Sequence, residues 1–278
     1  MRQGAKNVSG HQKGVKALKI LPDTKSEPRC QKMRQGQVLR KVCHDLRNFI
    51  DDTNHHGALS TVKLTSCSNR ITVVYDGKYK VFYRSHEVGC LVEYRGKAKL
   101  LRKENFMDIC LEDFNLIIGD RKPLELFGFY QRDPEAYTFL PKIQQYLFSR
   151  LRPLSTVTFL MEINEPSEVF QVLPYINHKK LKNIRIFDGS RCSVKFDVGE
   201  VSKLEQWKSA EKVTIERWTD AKNLERFGHF KDVLLKFDIV TSESLMNLKN
   251  IFLGSSTLEQ FLFTYLKIQD DQQFLPSK

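Results

Sequence analysis

Short apolar segments with strand-like alternation recur through the second half of the chain, with helical patterns between them. The clearest copy is SKLEQWKSAEKVTIERW at residues 202–218. There, Leu204 and Trp207 share one helical face, and Val213 and Ile215 then alternate with polar residues. Successive segments lie roughly 22 to 32 residues apart, within the range of solenoid repeats. They centre near Phe127, Phe159, Ile186, Ile215, Phe237 and Phe263. The helical patterns between them include an apolar stripe at Val169 and Leu173 and a further stripe, stopped by Gly254, at Leu245, Leu248, Ile251 and Phe252. This order predicts parallel strands joined by right-handed crossovers, with helices on one side.

The preceding segment, residues 57–122, has the pattern of antiparallel strands. An Asp-Gly dipeptide at 76–77 separates ITVVY from KYKVFYR, and an Arg-Gly dipeptide at 95–96 separates CLVEY from KAKLL. Dipeptides of this kind between alternating segments are typical of hairpin turns. A helical pattern follows over 106–117. We therefore predict a β-rich connecting segment that contains one helix.

An amphipathic helix is predicted over residues 37–51, because its apolar side chains fall on one helical face. These side chains are Val38, Leu39, Val42, Leu46, Phe49 and Ile50. A helix of about 14 residues is marginal alone, so the apolar stripe must pack on something. Residues 1–36 lack apolar periodicity, which predicts a disordered tail. The predicted organisation is a tail at 1–36, a helical segment at 37–56, the connecting segment at 57–122 and the repeating region at 123–278.

The net charge of +12 belongs entirely to the N-terminal part of the chain. Residues 1–36 hold nine Lys and Arg against two acidic residues, and residues 57–103 hold ten against three, so each carries +7. The strands of the second segment therefore favour nucleic-acid binding as one alternative, through phosphate contacts and base stacking. The residues for this role are Lys63, Arg70, Lys78, Lys80, Arg84, Lys97 and Lys99, interleaved with Tyr75, Tyr79 and Tyr83. A solvated sheet face is the simpler interpretation of the same charges.

Several classes of protein are not indicated by the sequence. No apolar run is long enough to span a bilayer, and the six cysteines are scattered without a CxxC pair. We therefore expect an intracellular protein, in the cytoplasm or nucleus, that does not contact a membrane. No GxGxxG, Walker, GxSxG or HExxH motif is present. These observations predict a binding protein rather than an enzyme, with no catalytic residue, metal or cofactor.

Four stretches resemble a known family. VLPYINHKKLKNIRIFDG, LEQWKSAEKVTIERW and FGHFKDVLLKFDIVTSESLMNLKNIFLGSS are similar to the FTH domain, the F-box-associated region of nematode F-box A proteins. VLRKVCHDLRNFIDD resembles the closing helix of an F-box, whose two earlier helices have no counterpart here, so a truncated F-box is predicted. The implied fold is α/β, in which an F-box-like helix and an antiparallel β segment lead into a leucine-rich-repeat-like parallel β/α solenoid.

The resemblance implies a substrate-recruiting adaptor of a Skp–cullin–F-box ubiquitin ligase. The C-terminal β/α domain would recognise an unknown target protein, and the F-box helix would dock on the Skp-type linker. The residues expected at the linker, or in the packing of the helix, are Val38, Leu39, Val42, Leu46 and Phe49. Trp218 ends its strand and is the candidate target-binding residue, whereas the spacing of Trp207 favours a core position. A second alternative is a target-binding protein that has lost its connection to the ligase.

Overall fold

The computed structural model describes residues 59–118, 122–132, 139–189 and 194–269. In these residues eleven strands form one mixed sheet, in the order β11-β10-β9-β8-β7-β6-β1-β2-β3-β4-β5. The strands are β1 (Thr61–Cys67), β2 (Arg70–Tyr75), β3 (Tyr79–His86), β4 (Gly89–Tyr94), β5 (Lys97–Arg102), β6 (Leu124–Gln131), β7 (Thr156–Ile163), β8 (Asn183–Asp188), β9 (Lys212–Thr219), β10 (Asp232–Thr241) and β11 (Gln260–Gln269). The α/β class is thus confirmed, while the likeness to a leucine-rich repeat remains a prediction.

The helices connect the strands of the parallel part and close one side of the sheet. The α-helices are α1 (Phe106–Ile118), α2 (Phe139–Ser149), α3 (Val198–Val201), α4 (Glu205–Ser209) and α5 (Ser242–Gly254). Three further crossing segments are 3-10 helices, at Pro166–Gln171, Leu173–Tyr175 and Ala221–Phe227. The helices predicted at 106–117 and in the segment that stops at Gly254 are confirmed.

Strands β1 to β5 form an antiparallel meander, and both predicted hairpins are present. Asp76 and Gly77 have φ values of 50° and 65°, and Arg95 and Gly96 have φ values of 47° and 74°. Two consecutive residues in the left-handed region are the geometry of the tight turns that match the twist of paired strands. The two dipeptides therefore set the register of the meander.

Strand β1 is the link between the two parts of the sheet, because it pairs antiparallel with β2 and parallel with β6. Strands β6 to β11 continue in parallel. One apolar ladder crosses all six parallel strands in register, and it consists of Phe127, Phe159, Ile184, Val213, Val233 and Phe261. Since side chains alternate between faces, this ladder defines the core face of the sheet.

The helices pack on that core face. The Phe114 ring of α1 lies 5.9 Å from the Phe127 ring, and the Phe139 ring of α2 lies 6.2 Å from the Phe129 ring. At the other end of the sheet, the Phe227 ring lies 6.4 Å from the Phe261 ring of β11. The opposite face of the sheet, called the open face below, carries none of the described helices.

One local prediction fails. The apolar stripe at Val169 and Leu173 predicted one helix, but the structure has two short 3-10 helices there. Pro174 lacks the backbone N–H that a continuous helix needs, so the segment is broken. The stripe of Leu245, Leu248, Ile251 and Phe252 lies on α5 as predicted, but α5 has no fully buried residue, and Leu245 and Phe252 are exposed.

Candidate binding surface

The open face is lined by the side chains that alternate with the core ladder. Among them, cations and aromatic rings fall into three rows that run across the strands. The strand register that aligns these rows depends on β1, because β1 pairs with β2 of the antiparallel part and with β6 of the parallel part. The open face is therefore a single continuous surface from the meander to the parallel strands.

The first basic row consists of Arg185 on β8, Lys63 on β1 and Lys80 on β3. Direct register pairs connect them through the small or apolar residues Leu160, Gly128 and Val74. All three cations are exposed. Among the described residues, none of the three has a carboxylate within ion-pair distance. From β8 to β3 the row spans five strand spacings, or roughly 24 Å.

The second basic row lies four residues further along the strands and consists of Arg132, Arg70 and Arg84. Arg70 is paired directly with Arg84. Arg132 follows β6 and donates its backbone N–H to the carbonyl oxygen of Ser66, which places it beside the end of β1. Alternate residues of a strand are about 6.6 Å apart, so two such steps separate the basic rows.

The aromatic row lies between the two basic rows and consists of Phe187, Tyr130 and Phe82. Each ring is contacted by cations of the flanking rows. The distances from the Phe82 centroid are 5.0 Å to Lys80 Nζ, 5.5 Å to Arg84 Cζ and 5.8 Å to Arg70 Cζ. Arg132 lies over Tyr130 at 5.7 Å, and Arg185 over Phe187 at 5.2 Å. Such contacts keep the guanidinium and ammonium groups close to the ring faces.

The carboxylates of this surface are more covered than the cations that pair with them. Arg132 lies 3.3 Å from Glu162, and their side chains are 60% and 8% exposed. Arg84 lies 3.2 Å from Glu93, with 42% and 26% exposed. Burial raises the pKa of Glu162, whereas the neighbouring Arg132 lowers it. The charge presented to solvent by this part of the open face is therefore positive.

Trp218 also lies on the open face, at the end of β9. Its neighbours Arg217 and Thr219 are buried on the core side, and Trp218 itself is half-buried. The pairing of β9 with β10 shifts by two residues just before Trp218, which makes a bulge. Bulges redirect side chains where they occur. The structure thus places Trp218 on the same face as the basic rows, one strand beyond Phe187.

The bulge is fixed by Arg217, which is 1% exposed. Its Nη1 donates to the carbonyl oxygens of Asn164 at 2.6 Å and Ile163 at 3.3 Å, and its Nε donates to the carbonyl of Val194 at 2.8 Å. Asp188 lies 3.4 Å from the same guanidinium. A buried guanidinium needs such partners, since its desolvation is costly. Arg217 therefore ties together the ends of three strands and their loops.

A second buried polar group lies under the meander. Asp113 of α1 is 1% exposed, and Tyr83 donates its hydroxyl to Asp113 Oδ2 at 3.1 Å. Burial raises the pKa of Asp113 well above its usual range, and the Tyr83 hydrogen bond opposes that shift. Burial also raises the pKa of Tyr83. These groups lie on the core face, away from the three rows, and their hydrogen bond joins α1 to the sheet.

The structure corrects one feature of the nucleic-acid alternative. Tyr75 and Tyr83 were predicted to stack on bases, but both are fully buried on the core face. Phe82, which was not among the predicted stacking residues, occupies the open face together with Lys80 and Arg84. The alternation in KYKVFYR is the signal that identifies it, because Phe82 shares its face with the two cations and not with the tyrosines.

The predicted linker-binding residues cannot be placed on this surface. Val38, Leu39, Val42, Leu46 and Phe49 lie outside the described residues.

The core position predicted for Trp207 is confirmed, since it is 1% exposed. In the described ranges, no helix has the length and apolar character needed to cross a membrane.

Comparison with known proteins gives one match. The model of the FTH domain matches residues 137–275, which is half of the chain. No curated protein and no solved structure matches the chain significantly. The matched range covers β7 to β11 with their helices, and therefore includes Phe187, Arg185 and Trp218 of the open face. On this match, the chain belongs to the FTH domain family.

Proposed function

We propose that this protein is a substrate-recruiting adaptor of a Skp–cullin–F-box ubiquitin ligase. The observation that carries the proposal is the FTH domain over residues 137–275, since this domain is associated with F-box proteins. The finer assignment, to the nematode F-box A proteins, rests on the sequence resemblance and is part of the proposal. An adaptor acts by holding its target near the ligase, so it needs no catalytic residue of its own.

The segment at 37–56 is proposed to dock on the Skp-type linker. Its apolar stripe has the length and spacing of a helix that must pack against a partner. The proposed contact residues are Val38, Leu39, Val42, Leu46 and Phe49. A protein in the cytoplasm or nucleus would have access to the linker and cullin.

The open face is proposed to hold the target. It is the broad surface of the described sheet that no described helix covers, and it displays Trp218 and the aromatic row together. Half-buried aromatic side chains next to arginines are typical of the residues that dominate protein interfaces. The proposal therefore assigns ligase docking and target recognition to separate parts of the chain.

The test is a binding assay between the full chain and purified Skp-type linker. Leu39→Asp with Leu46→Asp places charges in the apolar stripe, and we expect these changes to abolish linker binding. Arg40→Asp with Arg47→Asp is the matched control, because it introduces two acidic residues away from the stripe and should retain binding. Equal binding by both double variants would refute the assigned docking residues. Failure of the unmodified chain to bind would favour the alternative, a target-binding protein without ligase docking.

Nucleic-acid binding through residues 57–103 is a second candidate function. The exposed cations Lys63 and Lys80 favour it, whereas the burial of Tyr75 and Tyr83 removes two of its stacking residues. If it is correct, the affinity for a single-stranded RNA should fall steeply with salt concentration, because counterions are released on binding.

A further inference from the structure

We infer that the open face recognises an extended acidic segment of its target protein, lying across strands β8 to β3 along the aromatic row. The inference deepens the proposed function, and its identification of the partner as the recruited target rests on that function. The binding chemistry itself is argued from the three rows alone. In this arrangement the carboxylates of the segment pair with the cations of the two basic rows, which flank the aromatic row of Phe187, Tyr130 and Phe82.

The charge of the open face favours an acidic partner. Arg132 and Arg84 face solvent more than the carboxylates that pair with them. Glu162 is nearly covered beneath Arg132, and Glu93 is partly covered beside Arg84. Arg185, Lys63 and Lys80 have no such partner among the described residues. A surface with an excess of cations attracts an acidic partner and gains from pairing with it.

The dimensions of the surface fit an extended chain. The first basic row and the aromatic row span roughly 24 Å from β8 to β3, which corresponds to about seven residues of an extended chain, and the second basic row lies alongside them from β6 to β3. Successive side chains of an extended chain point to opposite sides. A chain that follows the aromatic row therefore directs alternate carboxylates towards the first basic row and the others towards the second. Apolar parts of such a segment would rest on Val74 and the ring edges.

The contacts of the aromatic rings favour an acidic polypeptide over a single-stranded nucleic acid. Sequence-independent binding of a single strand relies on aromatic faces that are open for base stacking. Here the rings of Phe82, Tyr130 and Phe187 are each contacted by the protein's own cations. A base would have to displace those cations, whereas a carboxylate pairs with them where they lie. The geometry thus favours carboxylates.

The experiment measures binding of a fluorescein-labelled peptide of ten glutamates to the full chain by anisotropy. A peptide of ten glutamines is the uncharged comparison, and a ten-nucleotide single-stranded oligothymidine represents nucleic acid. The test variant is Lys80→Glu with Arg185→Glu, which reverses both ends of the first basic row without breaking an ion pair. The matched control is Lys180→Glu with Lys249→Glu, which changes the net charge equally at exposed positions off the rows.

We expect the glutamate peptide to bind more tightly than the glutamine peptide, and the affinity to fall as salt is raised. The test variant should weaken peptide binding by roughly tenfold or more, and the control by much less, because two attractive contacts become repulsive only in the test variant. Unchanged thermal unfolding would show that both variants are folded.

Three results would overturn the inference. The first is equal binding of the two peptides, and the second is equal weakening of peptide binding by the two variants. The third is tighter binding of the oligothymidine than of the glutamate peptide, lost only in the test variant, which would identify the ligand as nucleic acid. None of these measurements contains linker or cullin. Peptide binding without linker binding would therefore refute the ligase proposal and leave the acidic-segment inference standing.

Discussion

Replacing Trp207 with Ala tests whether the helix-then-strand unit is held together from within. Trp207 is 1% exposed, and its ring meets Phe227 and Phe230 edge to face, at centroid distances of 5.5 and 5.1 Å. Its Nε1 also donates to the carbonyl oxygen of Arg226 at 3.2 Å. The residue thus fixes α4 against the Ala221–Phe227 segment, which precedes β10.

The expected loss follows from these contacts. Removing a buried Trp side chain costs about 3–5 kcal/mol through lost transfer free energy and the cavity left behind. The unpaired carbonyl of Arg226 adds about 1 kcal/mol. We therefore expect Trp207→Ala to lower the free energy of unfolding by about 4–6 kcal/mol, a large part of the 5–15 kcal/mol of a typical domain. Trp207→Phe keeps a ring in the site and should lose only about 1–3 kcal/mol.

The assay is urea unfolding followed by far-ultraviolet circular dichroism, which does not depend on the residue being replaced. If the Ala variant is unfolded in the absence of urea, the Phe variant still gives a measurable midpoint. If Trp207→Ala lowers the free energy of unfolding by less than about 1 kcal/mol, the reasoning is refuted. Such a small loss would show that the packing of this side chain does not stabilise the fold.

Three further substitutions probe the buried polar groups and one turn. Burial raises the pKa of Asp113. The folded protein therefore keeps a proton on this carboxyl that the unfolded chain releases near pH 4. As a result, the free energy of unfolding falls as the pH rises above that value, by up to about 1.4 kcal/mol per pH unit. Asp113→Asn should therefore flatten the profile of the urea midpoint between pH 4 and pH 8 and raise the midpoint at pH 7; an unchanged profile would contradict the raised pKa. Arg217→Met leaves buried carbonyls without a donor and should cost about 3 kcal/mol or more in urea unfolding, whereas a neutral effect would refute its tying role. Gly89→Ala should lower stability by roughly 1–3 kcal/mol, because Gly89 has a φ of 151° and an added Cβ would lie 2.0 Å from the carbonyl oxygen of Leu101. An unchanged midpoint in that variant would show that the turn relaxes.

Local signals in the sequence were sufficient for much of the fold. The dipeptides at 76–77 and 95–96 predicted their hairpins because left-handed backbone geometry is demanded within the dipeptide itself. Trp207 was placed in the core from its helical spacing to Leu204. These predictions succeeded because the cause and the effect lie within a few residues of each other.

The features that failed or were missed depend on distant parts of the chain. The parallel pairing of β1 with β6 joins residues 65 positions apart, as in the register pair of Lys63 and Gly128. The sequence of neither strand indicates this pairing, because each has the alternating pattern of an ordinary strand. The alternation separated Phe82 from Tyr83 but did not show which face the helices cover. That choice depends on where α1 packs.

The same dependence explains why the candidate surface has no sequence motif. Arg185, Lys63 and Lys80 belong to one row only because five successive strand pairings, from β8 through β1 to β3, hold in register. If the pairing of β1 with β6 shifted by one residue, the Lys63 side chain would lie on the core face while Arg185 stayed on the open face. The charge of this surface is also divided between a strongly basic segment and a nearly neutral one, so composition does not reveal it. The sheet register, more than any single residue, therefore creates the proposed target-binding surface.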